Sequence, residues 1–196
     1  MKSAIVRMLI AAAALTVLAA PAHAHVGIGA ATSFGAGFGH PLSGLDHVAA
    51  MVAVGLWAAL KGGRAVIVWP AAFVAVMLAG GVLGMAGVAV PLVEPGILAS
   101  VVALGLLVAL AVDLPVAAGA AVIGLFALFH GHAHGAEIPE TVGGLAYLAG
   151  FAVATALLHG AGIAAGLLVG ACFRAVARLA GAATAAIGFG LIAGAI

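Results

Sequence analysis

Six stretches of apolar sequence, roughly 43–60, 65–86, 95–112, 115–134, 141–170 and 179–196, are separated by glycine, proline and charged residues. Each approaches the ~20 residues that an α-helix, rising ~1.5 Å per residue, needs to cross the hydrocarbon core of a bilayer. A soluble alternative fails on solvation, because 67% of the residues are hydrophobic and only 6% are charged, against about 25% charged in an ordinary soluble domain. The expected fold is all-α: a polytopic membrane protein of six transmembrane helices, with short connections that set consecutive helices antiparallel. The 30 glycines fit that reading, since small residues let membrane helices approach closely.

A further apolar run, Met8 to Ala20, follows Lys2 and Arg7 and leads into overlapping sites of the A-x-A type. This is the layout of a cleavable signal peptide, residues 1–24, and the run is too short to span comfortably. Cleavage after Ala22 or Ala24 makes His23 or His25 the first residue of the mature chain, and the six-helix domain occupies 25–196. A free α-amine beside an imidazole can chelate Ni²⁺ or Cu²⁺, so His25 joins the candidate metal ligands. The Gly-rich segment from Val26 to Gly39 is expected to be re-entrant or surface-lying and not a regular helix.

An exported amino terminus directs the first span inward. Lys61 and Arg64 then fall on the cytoplasmic side, and so do Arg174 and Arg178, while Glu94, Glu137 and Glu140 face outward. All four basic residues therefore obey the positive-inside rule, which supports an inner-membrane protein with both mature termini in the periplasm. Asp113, close before Pro115, reads as a helix cap. Gly162-x3-Gly166-x3-Gly170 and Gly190-x3-Gly194 read as helix-packing positions, not phosphate loops.

Ionisable side chains are costly inside a bilayer and usually mark a binding site or pathway. Here they fall into two runs. In the first, His40-Pro41-Leu42-Ser43-Gly44-Leu45-Asp46-His47, Pro41 suits the first position of a helix, which sets His40 and His47 two turns apart on one face. Asp46 is suited to ligate a metal or to accept the second imidazole N–H. Met51, one turn beyond His47, reads as packing. In the second run, Phe129 to Glu137, the residues His130, His134 and Glu137 recur at i, i+4, i+7 and share one helical face. His132 points elsewhere on a regular helix, whereas glycines at 131 and 135 offer the alternative of a loosened backbone wrapping an ion. The topology puts both runs at the outer surface.

A nitrogen and oxygen set of this kind suits Ni²⁺, Co²⁺, Zn²⁺ or Cu²⁺, not Mg²⁺ or Ca²⁺. Cys172 is the single cysteine, which excludes a thiolate-rich centre. His25, His40, Asp46, His47, His130, His132, His134 and Glu137 are thus the candidate metal ligands. His159, in the middle of the fifth stretch, has two open readings: a relay deeper along the path, or a buried histidine bonded to a backbone carbonyl.

These residues resemble the signature motifs of the HupE/UreJ family of nickel and cobalt permeases. The likeness rests on His40-x5-Asp46-His47 with Met51 and Gly55, on Phe129-His-Gly-His-Ala-His-Gly-Ala-Glu137 with Pro139, and on Ala154-Thr155-Ala156-Leu157-Leu158-His159. It implies transmembrane uptake of Ni²⁺ or Co²⁺ as substrate, no prosthetic group, and a link to hydrogenase or urease maturation. It also implies that His40, Asp46, His47, His130, His134 and Glu137 are needed for metal uptake. The sequence carries no nucleotide-binding motif, which points to facilitated diffusion or proton coupling, with Asp46 or His159 as a proton carrier. Nothing in it suggests nucleic-acid binding. The competing readings are a His-ligated membrane metalloenzyme, although the H-E-x-x-H pattern is absent, and a haem-binding electron carrier with axial histidines.

Overall fold

The computed structural model describes residues 33–138, 143–169 and 173–195. The expected signal peptide, His23, His25, Pro139, Glu140, Gly170 and Cys172 lie outside the described residues. Among those described there are seven α-helices and no strand: α1 Ser33–Ser43, α2 Leu45–Lys61, α3 Ala65–Met85, α4 Val93–Ala109, α5 Val116–Ala136, α6 Gly144–Val169 and α7 Phe173–Ile192. Four of them, α3, α5, α6 and α7, are long and apolar enough to cross a membrane, and α1 with α2 passes the same test as one bent unit. The shorter α4 has 17 residues, about 25 Å of helix. The chain is an all-helical membrane protein.

Two expectations about the first helical segment are corrected. The Gly-rich stretch is helical from Ser33 onward, and Pro41 lies inside α1 near its end instead of opening the next helix. The break falls at Gly44, whose backbone is extended at φ −100° and ψ 123°, and α1 meets α2 at 83°. Proline removes one helical N–H and crowds the preceding turn, so the helix ends soon after it. The carbonyl of His40 would have accepted the Gly44 N–H in a continuing helix. It accepts the Ser43 hydroxyl instead, at 2.6 Å.

Glycine sets the closest helix contacts. Gly131 and Gly135 of α5 lie against the backbone of Met77 and Gly81 on α3, while Gly80 and Gly84 of α3 lie against Leu128 and His132 of α5. A methyl group at any of these four would overlap main-chain atoms of the neighbour. Gly131 and Gly135 therefore close the α3–α5 seam within a regular helix and do not loosen it. Gly55 of α2 and Gly162 of α6 face each other in the same way. Gly194, by contrast, follows the end of α7 at φ 64° with nothing near its missing side chain, so it is a helix stop, not the packing position expected.

Basic residues gather at one end of the bundle and, apart from Asp113, the described acids gather at the other. At one end Lys61 pairs with Asp113, and Arg178 Nε donates to the Ala109 carbonyl at 2.7 Å. Asp113 is thus an ion-pair partner and not the expected cap, the α5 N-cap being Pro115. Below this end, the rings of Trp57 and Trp69 pack at a tilt of 40° with centroids 4.3 Å apart. Their indole N–H groups donate to the carbonyls of Val112 and Val116 at 2.8 and 2.9 Å, anchoring the α4–α5 turn. The last helix begins at Phe173, before the expected 179, and so contains Arg174 and Arg178; long basic side chains at a helix end can keep their charges at a membrane interface.

Candidate metal centre

At the end opposite the arginines, a cavity of about 240 Å³ is walled by His40, Asp46, His47, Glu94, His134 and Glu137. These come from four helices and one helix cap: His40 from α1, Asp46 and His47 from the first turn of α2, Glu94 from the first turn of α4, and His134 with the capping Glu137 from the end of α5. The two sequence runs therefore meet at one level. Their meeting depends on the sharp bend at Gly44, because His40 and His47 sit on different helices and not on two turns of one. Glycine also leaves room there: a Cβ at 44 would stand 2.6 Å from Asp46 Oδ1 and 2.9 Å from His47 Nδ1.

Hydrogen bonds fix which nitrogens are free. Asp46 Oδ1 accepts a bond from His47 Nδ1 at 2.8 Å, which leaves the His47 Nε2 lone pair directed into the protein. There it lies 2.5 Å from His134 Nε2. Two imidazole lone pairs so close repel unless a proton or a cation stands between or beside them. The His40 ring completes the approach, with its centroid 4.6 Å from that of His134, and one ligand atom each from His40, His134 and Glu137 falls within 4.8 Å of the others. Glu137 adds a carboxylate at the C-terminus of α5, where the helix dipole is already negative. That placement is unfavourable for an acid alone and favourable for an acid holding a cation.

His130 lies one turn below His134, completely buried. The Ser100 hydroxyl gives its proton to the Ile97 carbonyl at 2.6 Å, so Ser100 Oγ must accept from His130 Nε2, at 2.8 Å. The other nitrogen, Nδ1, is then a bare lone pair without a partner, on a ring whose centroid is 4.8 Å from that of His47. His132 turns away and donates from Nε2 to the Val88 carbonyl at 2.7 Å, tying α5 to the α3–α4 turn. It does not line the cavity. Met51 is buried in the apolar core. His159 also stands apart from the cavity, and neither of its ring nitrogens has a partner, so it is not the carbonyl-bonded histidine that the sequence left open.

Two contributors were missed from sequence. Glu94 was placed at the outer face without a role, yet it walls the cavity. Ser100, which orients His130, had one available signal: it is the single hydroxyl residue in the otherwise apolar stretch of α4. Chemically, three convergent imidazoles with surrounding carboxylates can strip water from a late first-row divalent cation and hold it.

A family model described as HupE / UreJ protein matches residues 13–191 of the chain. Protein HupE of Rhizobium leguminosarum bv. viciae is similar at 51% identity over 183 residues, covering 92% of this chain and 95% of that protein. No solved structure matches.

Proposed function

Because this chain belongs to the HupE/UreJ family, whose members generally transport nickel or cobalt, we propose that it is a secondary permease that carries Ni²⁺ inward across the bacterial inner membrane. Membership in a family of transporters favours this reading over the metalloenzyme and haem-carrier ones. The observation that carries the proposal is the convergence of His47 Nε2 and His134 Nε2 to 2.5 Å, with His40 and Glu137 beside them. Such a grouping has no packing rationale, since apolar side chains would fill the same space without desolvating polar atoms.

In this reading α2 to α7 make six crossings, the acid-rich end is periplasmic and the arginine end is cytoplasmic, as the positive-inside rule requires. Hydrated Ni²⁺ meets His25 at the mature amino terminus and then exchanges water for His40, His47, His134 and Glu137. Asp46 holds His47 in its metal-ready tautomer, Glu94 adds negative charge to the entrance, and His130 receives the ion from below. His132 stays a structural tie. The nickel then serves hydrogenase or urease maturation.

The test is nickel uptake, measured by elemental analysis, in cells expressing the parent or His47→Ala at matched membrane levels. The expected result is uptake at the level of cells without the protein. Parental uptake by His47→Ala removes the central role given to this imidazole, and preferential cobalt uptake by the parent reassigns the substrate.

A further inference from the structure

Deep in the bundle, away from the entrance cavity, His159 is 1% exposed and both of its ring nitrogens lack hydrogen-bond partners. Nearly all buried polar atoms in folded proteins are satisfied, and the exceptions commonly await a water, an ion or a reaction. Depth follows from the helix. Phe151 of α6 packs at a tilt against His134, with centroids 4.5 Å apart, and His159 is eight residues further along the same helix, about 12 Å towards the arginine end.

The neighbours of His159 are unusual for an apolar interior. Thr155 is one turn earlier on α6 and shares its face. Its hydroxyl donates to the Met77 sulfur of α3 at 3.6 Å. One turn before Met77 on α3 is Phe73, whose ring meets the edge of His159 with centroids 4.9 Å apart and planes at 79°. Phe73 also lies 5.9 Å from the ring of His130. All four residues are buried, with Phe73 and Thr155 at 0%. α3 runs towards the histidine end and α6 away from it, so Met77 and Thr155 stand about one turn to the histidine side of Phe73 and His159, near the level of Gly131 and His130. Thioether, hydroxyl and imidazole thus descend in order from the bare nitrogen of His130 to the level of Phe73.

We propose that His159, with Met77 and Thr155 one turn to its histidine side, forms a second and charge-neutral metal station, which takes Ni²⁺ from His130 of the outer cluster and releases it inward beside Phe73. The station rests on the nickel transport proposed above. Its donors suit late first-row cations and reject Mg²⁺ and Ca²⁺, which require oxygen shells. Lacking any carboxylate, it leaves the bound charge uncompensated in an apolar surround. The ion consequently stays briefly, and conduction requires that binding sites release what they select.

The full-length protein is reconstituted into vesicles and given Ni²⁺ alone, with influx and equilibrium nickel binding both measured by elemental analysis. His159→Leu is expected to keep the affinity of the outer cluster, to bind about one ion fewer per chain at saturation, and to lose influx by about tenfold or more. His159→Met, which restores a soft donor, recovers part of the influx, whereas His159→Gln, which restores polarity but ligates poorly, does not. Influx at the parental rate in His159→Leu overturns the station alone. Recovery by Gln and not by Met, or loss of the outer affinity in all three variants, makes His159 a structural residue and likewise overturns it. A parent protein that moves no nickel at all, while binding it, sinks the transport reading and the station together.

Discussion

The arginine end and the histidine end of this bundle both gather polar side chains, and they dispose of them in opposite ways. At the arginine end Lys61 pairs with Asp113, Arg178 bonds the Ala109 carbonyl, and both tryptophan N–H groups reach main-chain oxygens. At the histidine end, His130, His132 and His134 each keep a buried Nδ1 without a hydrogen-bond partner, and the Nε2 atoms of His47 and His134, 2.5 Å apart, share a single proton. A polar group that finds its partner inside the chain stabilises the fold, whereas one left open is a standing cost. The difference predicts that changes at the first end alter stability and changes at the second alter transport.

The strongest way to break that contrast is His134→Leu. Nickel uptake is expected to fall by about a hundredfold, in line with loss of a ligand whose supporting partners alone are worth about 10–100-fold. The thermal midpoint in detergent is expected to change little, because the substitution removes the unpartnered Nδ1 of His134 but also takes from His47 Nε2 its one partner. A midpoint that collapses while uptake survives would reverse the roles of the two ends. Asp46→Asn comes next. The amide can no longer hold His47 Nδ1–H as a charged acceptor, so nickel affinity is expected to drop by about tenfold, with little change in melting. Equilibrium binding to purified protein checks it.

How far the sequence revealed this arrangement depended on whether the relevant partner was local. The spacing of His130, His134 and Glu137 was readable because α5 is regular and period 3.6 puts them on one face. His40 and His47 were expected two turns apart on one face of a near-helical backbone. A continuous helix was assumed, while Pro41, the Ser43 hydroxyl and extended Gly44 make a corner of 83°. Asp113 looked like a cap because Pro115 lies two residues on, yet its partner Lys61 is 52 residues away. Ser100 and Glu94 gained roles only when α4 was packed beside α5, which no local pattern encodes. The start of α7 was set too late because Arg174 and Arg178 looked like loop residues, whereas both lie in its first turns, as long basic side chains at a helix end can.

At the arginine end the larger effect is expected from Trp57→Phe. It removes the bond to the Val112 carbonyl while keeping most of the ring that packs against Trp69. A lost hydrogen bond of this kind costs about 0.5–1.5 kcal/mol, read as a lower melting temperature, with nickel affinity unchanged. An affinity change would couple the two ends mechanically and blur the comparison.

The smallest effect sharpens it most. The Lys61–Asp113 pair looks like a lock across the α2–α3 and α4–α5 turns, but the Asp113 side chain is 76% exposed and that of Lys61 is 25% exposed. Solvent screens such a pair, and two flexible side chains lose entropy in forming it, so its worth is about 0.2–1 kcal/mol. A double-mutant cycle over Lys61→Met and Asp113→Asn, read by thermal melting, is expected to give a coupling inside that range that shrinks as salt is raised. Nickel binding should be the same in all four proteins. A coupling well above the range, insensitive to salt and accompanied by altered influx, would mean that the pair opens and closes during transport, and the arginine end would then be part of the pathway and not only its frame.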